Sequence, residues 1–368
     1  MHLPFCAKRC HYCDFVISVA NDTGSHERFF EALEKEIQHY ASGFQNRRFD
    51  TLYLGGGTPS LLSSDEMRRL FSLLKSNFTF KEDAEITCEM NPESLDAEKI
   101  ALYRKLGINR VSLGAQSFHD KTLKALNRTH TSADTIQSFN LLRKAGFQNI
   151  SVDLILSLPE ESLEEVKHSL DQVVSLNPEH VSLYELTLEK GTVFQREFER
   201  GTLKLPAETL QKEMLIFARD YLQAKGFKHY ELLSYAKKGF ESRHNLLYWA
   251  NEEYLGLGPG AYSYIEGRRY RYVSSVSEYL RKIEKEDWGL AEEELLSAFK
   301  KEVETFLLRL RLEGGASVEM FKPVLDAMPE ETKDLEAKGW LERKNGHIRL
   351  TEEGQLFAET VFSQLSGV

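Results

Sequence analysis

Short apolar runs recur along the chain every ~25–40 residues, each followed by a stretch whose apolar positions repeat at helical spacing. The strand-like runs fall at 51–55, 85–89, 110–116, 149–156, 179–186 and, less sharply, 228–234. The helical stretches fall at 25–40, 64–77, 96–106, 131–145, 163–176 and 207–225. Gly107, Gly146 and Gly226 close three of them, glycine being the residue that a left-handed C-terminal turn favours. Strands joined by helix-length crossovers pair in parallel, so the pattern predicts an α/β fold, a partial (β/α)6 TIM-like barrel. Only five residues precede Cys6. The first barrel edge therefore reads as truncated, and the loop that follows it is expected to be loosely held.

Beyond about residue 234 the periodicity loosens. Residues 238–264, rich in glycine and aromatics, read as ordered loop, and 283–294, rich in Glu and Lys, as a linker. The order is then helix, turn, helix (318–328 and 329–338) and two short strands, 341–344 and 347–350. Asn345-Gly346 between those strands is a type I′ hairpin signal, and the whole order is that of a small winged helix. The chain thus divides into a barrel (1–235), a loop and linker region (236–294) and a mostly helical, winged-helix-like C-terminal domain (295–368).

Alternation along each strand assigns faces. Thr87 and Glu89 share one face, Ile86 and Cys88 the other; Ser112, Gly114 and Gln116 share a small, polar face; Ser151 and Asp153 lie opposite Val152 and Leu154. Each strand offers an apolar face to the helices and a small or polar one to the lumen, so the lumen is built to hold something polar. Cys88, on the helix side, reads as a buried apolar thiol.

Composition narrows the function. The chain is 41% hydrophobic and 28% charged, as globular proteins are. A net charge of -10 argues against binding nucleic acid or an anionic membrane surface. Helix 329–338 of the winged-helix stretch carries Glu330, Glu331, Asp334 and Glu336, which would repel phosphate and suit a lid facing protein or ligand. No apolar run reaches the ~20 residues of a membrane span, and the start lacks the pattern of a secretory signal. Three of the 4 cysteines sit within eight positions, a metal-site pattern rather than a disulfide framework, which points to the cytoplasm.

Those three, Cys6-x3-Cys10-x2-Cys13, would put three thiolates on one short loop. Three is one short of the set that tetrahedral zinc or a fully ligated four-iron cluster takes. Zinc completed by His2 or His11 is the alternative, but no second C-x2-C or H-x3-H knuckle accompanies it. An iron–sulfur cluster with one open iron fits better. Gly55-Gly56-Gly57-Thr58-Pro59 ends the 51–55 strand, at the barrel end where sites lie, and lets backbone approach a ligand closely. Glu89, Gln116 and Asp153 point into the lumen by the alternation above. With Arg128 they read as a binding set, carboxylates for hydroxyls or an ammonium and Arg for a carboxylate.

Together the cysteine triplet, Gly55–Pro59, Glu89, Gly114-Ala115-Gln116-Ser117-Phe118, Arg128, the Asp153-Leu154…Leu158-Pro159 segment and His244-Asn245-x2-Tyr248-Trp249 resemble the radical S-adenosylmethionine (SAM) superfamily. Within it they are similar to the HemN/HemW branch of oxygen-independent coproporphyrinogen dehydrogenases and heme chaperones, over nearly the whole chain. The resemblance implies a 4Fe-4S cluster on Cys6, Cys10 and Cys13 whose open iron is chelated by the SAM amino and carboxylate groups. It also implies Gly56, Gly57 and Thr58 at the SAM amino-acid moiety, and Glu89, Gln116, Arg128 and Asp153 around the rest. An electron donor for the cluster, and a 5′-deoxyadenosyl radical where SAM is cleaved, follow from the same likeness.

Two departures choose within the branch. The family pattern places Tyr in the strand before the cysteine loop; here only His2-Leu3-Pro4-Phe5-Cys6 of it is present. The dehydrogenase has a further Cys where this chain has Phe15, and a longer N-terminal segment. Both favour a chaperone that binds heme and passes it to an acceptor protein over the oxidative decarboxylation of coproporphyrinogen III. His244 is then the candidate heme ligand, while Tyr262 stands where relatives often have His.

Overall fold

The structure, a computed structural model, describes residues 1–19, 23–288 and 290–367. Gly289, within the stretch read as a linker, lies outside the described residues. The first part of the chain alternates β1 (His2–Leu3), α1 (Thr23–Ala41), β2 (Arg48–Gly56), α2 (Ser64–Asn77), β3 (Thr79–Met90), α3 (Ala97–Leu106) and β4 (Arg110–Gln116). It continues through α4 (Asp120–Ala125), α5 (Ser132–Lys144), β5 (Ile150–Leu156), α6 (Leu163–Leu176), β6 (His180–Glu185), α7 (Val193–Glu199) and α8 (Glu208–Ala224). Helix starts are set by side chains that accept orphan backbone N–H groups: Ser63 with Glu66, Thr131 with Asp134 and Ser162 with Glu165 form capping boxes. Gly107, Gly146 and Gly226 have φ of 103°, 88° and 86°, the left-handed turn that ends α3, α5 and α8.

Among the described residues one sheet has eight strands in the order β1-β2-β3-β4-β5-β6, closed at one edge by β8 (Ser234–Ala236) and β7 (Lys228–Glu231). The six strands β1 to β6 are parallel and in sequence order, the partial (β/α)6 barrel of the sequence pattern. The run at 228–234 is not a further parallel strand. It opens a hairpin, with β8 antiparallel to both β6 and β7. Only Leu232 and Leu233 separate the two strands, too few for the crossover that parallel pairing needs.

The region read as loop and linker is more ordered than its composition suggests. It carries α9 (Arg243–Trp249), β9 (Tyr262–Ile265), β10 (Arg268–Arg271), α10 (Val276–Glu284) and β11 (Glu292–Leu295). The acidic stretch 292–294 pairs as a strand because its partner β10 is basic: Arg268 meets Glu293 at 2.5 Å, and Arg271 pairs with Glu292. Tyr279, Leu280 and Ile283 sink α10 into the barrel's core.

The rest comprises α11 (Ala298–Leu310), β12 (Ala316–Ser317), α12 (Lys322–Ala327), α13 (Pro329–Ala337), β13 (Leu341–Lys344), β14 (His347–Leu350), α14 (Glu352–Leu356) and α15 (Ala358–Leu365). Asn345 and Gly346, with φ of 51° and 78°, make the hairpin turn. This part has its own core around Phe306, Val324, Leu335, Ile348 and Val361, separate from the barrel core. No described helix is long and apolar enough to cross a membrane.

Candidate functional site

The cysteine loop leaves β1, which pairs with Gly55 and Gly56 at the end of β2. Its own strand is two residues long, yet the loop is firmly tied, contrary to the expectation from the short start. Cys6 N donates to Ser18 O (3.0 Å) and Ser18 N to Pro4 O (2.7 Å). His11 N donates to Leu126 O (3.1 Å), Asn127 Nδ2 to Arg9 O (2.8 Å) and Phe194 N to His11 O (3.1 Å). Arg9 Nη1 closes the loop from within, onto the carbonyls of Cys13 and Phe15, both at 3.2 Å. The anchors Leu126, Asn127 and Phe194 come from the turn after α4 and from α7, which the loop's own sequence does not reveal. Tyr12 packs on a small apolar cluster of Leu126, Ile155, Leu158 and Phe194.

The glycine turn meets this loop backbone to backbone. Gly57 N donates to Leu3 O (2.8 Å) and Thr58 N to Phe5 O (2.7 Å). A Cβ on Gly57 would lie 2.6 Å from Phe5 O, and one on Gly56, whose φ is +105°, 2.6 Å from the His2 ring. Only glycine allows that approach. Thr58 Oγ1 lies 3.6 Å from Cys6 Sγ and accepts from Asn91 Nδ2 (3.0 Å).

The lumen wall supplies the charged groups. Glu89 accepts from Tyr53 OH (2.8 Å) and from Gly56 N (3.2 Å). Burial pushes its carboxyl up to about 7, against the Tyr53 hydrogen bond, and the nearby Asp153 charge adds to the rise. Asp153 accepts from Ser112 Oγ (2.7 Å) and Ser151 Oγ (2.9 Å), and burial raises it too. Gln116 ends β4 at φ 64°, in the left-handed region, beside an irregularity in the ladder with β5. Arg128 follows the turn after α4, Nη2 donating to Asn91 Oδ1 (2.8 Å) and Gly114 O (3.0 Å) while Nη1 lies 3.7 Å from Cys10 Sγ. Its Nε is buried without a partner.

Cys6, Cys10, Cys13, Gly56, Gly57, Thr58, Glu89, Gln116, Arg128 and Asp153 all line one cavity of about 410 Å³. That volume lies within the ordinary range of small-molecule sites. Burial raises the Cys6 thiol and pushes Cys13 up to about 11, so a metal must displace protons there. Among the described residues no group of three His, Cys, Asp or Glu is spaced to hold a single metal ion. Three thiols lining one cavity are the number that a four-iron cluster with one open iron takes. The donor set fits a 4Fe-4S cluster, and Arg128, Glu89 and Asp153 line the same cavity.

His244 is not part of this cavity. It sits on α9 and lines a second one, of about 820 Å³, with Thr51, Tyr53 and Tyr248. Its Nδ1 bonds Thr51 Oγ1 (2.7 Å), its Nε2 bonds Tyr248 OH (3.1 Å), and its ring stacks on Tyr53 at 5.0 Å. Burial pushes its pKa down to about 3, so the imidazole is neutral. Cys88 is fully buried in the barrel core, its Sγ against Glu89 O (3.4 Å). Asn91, Tyr12 and Tyr184 line the cluster cavity without having been picked out from the sequence. Asn91 was within reach, being two residues past Glu89; Tyr12 and Tyr184 carried no signal beyond a loop position and a strand end.

Comparison with known proteins decides the family. The radical SAM superfamily model matches residues 1–173, and that of the HemN C-terminal domain matches 302–357. The heme chaperone HemW of Bacillus subtilis is 34% identical over 373 residues, covering 100% of this chain and 98% of the relative. The chain belongs to the HemW family of radical SAM proteins. The HemW proteins of Lactococcus lactis (36% identical, 99% of this chain and 95% of the relative) and Escherichia coli (31%, 98% and 96%) agree. Among solved structures, coproporphyrinogen III oxidase HemN of Escherichia coli, described as a radical SAM enzyme, superposes with a TM-score of 0.88 at 23% identity. It covers 100% of this chain and 89% of that one, a likeness of fold. Membership of the superfamily implies a 4Fe-4S cluster and SAM as cofactors.

Proposed function

We propose that this protein is a heme chaperone on a radical SAM barrel. In this reading Cys6, Cys10 and Cys13 hold the 4Fe-4S cluster, and Gly56, Gly57, Thr58, Glu89, Gln116, Arg128 and Asp153 hold an exchangeable SAM. Heme is bound and handed to an acceptor protein. The observation that carries the cofactor part is the convergence of all ten of these residues on one cavity. The heme part is supported by full-length relatives named heme chaperone HemW.

When bound, the cluster supplies an open iron for the methionine end of SAM and a route for electrons from a donor protein. The chain's own groups do the positioning. Arg128, fixed by Asn91 and Gly114, holds positive charge beside Cys10, where it offsets thiolate charge and attracts a carboxylate. Glu89 and Asp153 offer acceptors to an ammonium or to sugar hydroxyls. Phe15, 57% exposed at the cavity rim where the dehydrogenase carries Cys, adds apolar surface.

For heme, His244 is the ligand of this reading. A neutral imidazole is the form that binds iron. Thr51 orients the ring through Nδ1, and Nε2, now bonded to Tyr248 OH, is the nitrogen that would be offered to a heme iron.

Anaerobic reconstitution followed by iron and sulfide analysis, hemin titration and incubation with coproporphyrinogen III, SAM and reductant tests the whole reading. The expected result is a cluster that Cys10→Ala abolishes, a saturable Soret shift that His244→Ala weakens, and no decarboxylated product. Absence of saturable heme binding, or substantial turnover of coproporphyrinogen III, would overturn it.

A further inference from the structure

Behind Asp153 runs a chain of hydrogen bonds that the cofactor reading does not use. Ser151 Oγ donates to Asp153 Oδ1 at 2.9 Å. The same oxygen lies 2.9 Å from His180 Nδ1, and His180 Nε2 lies 2.9 Å from Tyr230 OH. Tyr230 OH in turn accepts the backbone N–H of Ser242, the N-cap of α9, at 3.2 Å. His180 is fully buried between β5 and the β7–β8 hairpin, away from the cluster cavity's lining.

The direction of every bond follows from counting protons. A carboxylate only accepts, so Ser151 spends its single hydroxyl proton on Asp153. Toward His180 that oxygen can then only accept, so Nδ1 carries the imidazole proton. Burial holds His180 neutral, its pKa well below the ordinary value, so it has one N–H and Nε2 must accept from Tyr230 OH. The chain runs one way, from the N-terminus of α9 through Tyr230, His180 and Ser151 into the Asp153 carboxylate.

We propose that His180 is a positioning residue: locked by Tyr230 as the Nδ1–H tautomer, it orders Ser151 so that the Asp153 carboxyl group is held in one orientation toward the cofactor cavity. This rests on the reading of that cavity as the SAM site. Ser112 holds the other oxygen, Oδ2, at 2.7 Å. The charges around Asp153 are mixed: Arg110, on the lumen face of β4, favours its ionised form, while Glu89, and Tyr53 and Tyr184 were they ionised, oppose it. In such a field the hydroxyl donors, Ser182 among them, decide the orientation of the carboxylate, and His180, together with Ser182 Oγ 3.3 Å from Ser151 Oγ, decides the orientation of Ser151. The bare lone pairs of Asp153 are left for a hydroxyl-bearing ligand.

The test uses the full chain labelled with ¹⁵N-histidine, and SAM as the probe. Imidazole ¹⁵N shifts should show His180 as the neutral Nδ1–H tautomer between about pH 6 and 7.5, a range within about one unit of the ordinary histidine pKa, and Tyr230→Phe should let the Nε2–H form appear. In equilibrium dialysis of the reconstituted protein, His180→Leu should weaken SAM binding about tenfold, the worth of one lost charge-linked hydrogen bond. His180→Asn, whose amide N–H stands in for Nδ1–H, should restore affinity to within about threefold. An Nε2–H tautomer in the unsubstituted protein, or equal losses in the Leu and Asn variants, would overturn the inference. If the unsubstituted protein binds no SAM, the cofactor reading fails, while the tautomer still decides the direction of the chain.

Discussion

Glu89→Gln separates folding from binding in this site. Its carboxyl reaches about 7 in the folded protein against an ordinary 4.5, chiefly through burial on the cavity wall. The folded state therefore holds this proton more tightly than the unfolded chain does. Below about pH 4.5 both states are protonated and the residue costs nothing. As pH rises toward 7 the unfolded chain ionises first, and stability falls; above about 7 the loss is complete. A difference of two to three pKa units corresponds to about 3 kcal/mol, and about 1–2 kcal/mol once water in the half-open cavity screens the charge. Glutamine keeps the shape and can bond Gly56 N and Tyr53 OH without the charge. The cofactor-free variant should match the parent near pH 4.5 and exceed it by about 1–2 kcal/mol at pH 8, read from urea unfolding of the barrel transition. The same variant should bind SAM about tenfold or more weakly, because the lost charge faces the ligand. A Glu89→Gln protein that is less stable at pH 8, or whose gap to the parent does not change with pH, would contradict this account.

Three further outcomes follow from the same structure. Gly57→Ala puts a Cβ 2.6 Å from Phe5 O and 2.8 Å from Pro4 C, atoms of backbone that cannot step aside. It should cost about 2–4 kcal/mol and most of the iron bound on reconstitution, whereas Gly55→Ala, which meets only the movable Glu89 carboxyl, should cost less; equal thermal shifts would speak against this. Because burial holds the Cys13 thiol near 11, cluster assembly should release protons and its extent should rise with pH between about 7 and 9, followed by iron-to-protein ratio. Glu36 is fully buried, pushed up to about 7, and held by Tyr279 OH (2.7 Å) and Gly258 N (2.9 Å), with Oε1 unpartnered. By the same proton linkage as at Glu89, Glu36→Gln should stabilise the protein above pH 7 and leave it unchanged near pH 4.5, with no effect on SAM affinity, as calorimetry beside dialysis would show.

Short-range physics was legible in the amino-acid order alone. Period-2 and period-3.6 patterns reproduce β2, β4, β5 and β6 to within a few residues and only the second half of β3, which begins at Thr79 rather than 85, and the capping residues and glycines mark the helix ends. Alternation put Glu89, Gln116 and Asp153 on one side and Cys88 on the other, and the cysteine spacing put three thiols on one loop. Contacts between distant segments were left to the tertiary structure. The loop's stability comes from Ser18, Leu126, Asn127 and Phe194 rather than from its two-residue strand. Arg128 is aimed by Asn91 and Gly114, 37 and 14 positions away. The acidic stretch 292–294 looked like a linker because isolated glutamates repel; opposite the arginines of β10 they form a strand. His244 has a recognisable motif around it, yet only the fold reveals that it belongs to a different cavity from the cysteines. Spacing along the chain sets which side chains share a face, but which faces meet is decided by burial of the common core, and a single sequence does not carry those pairings.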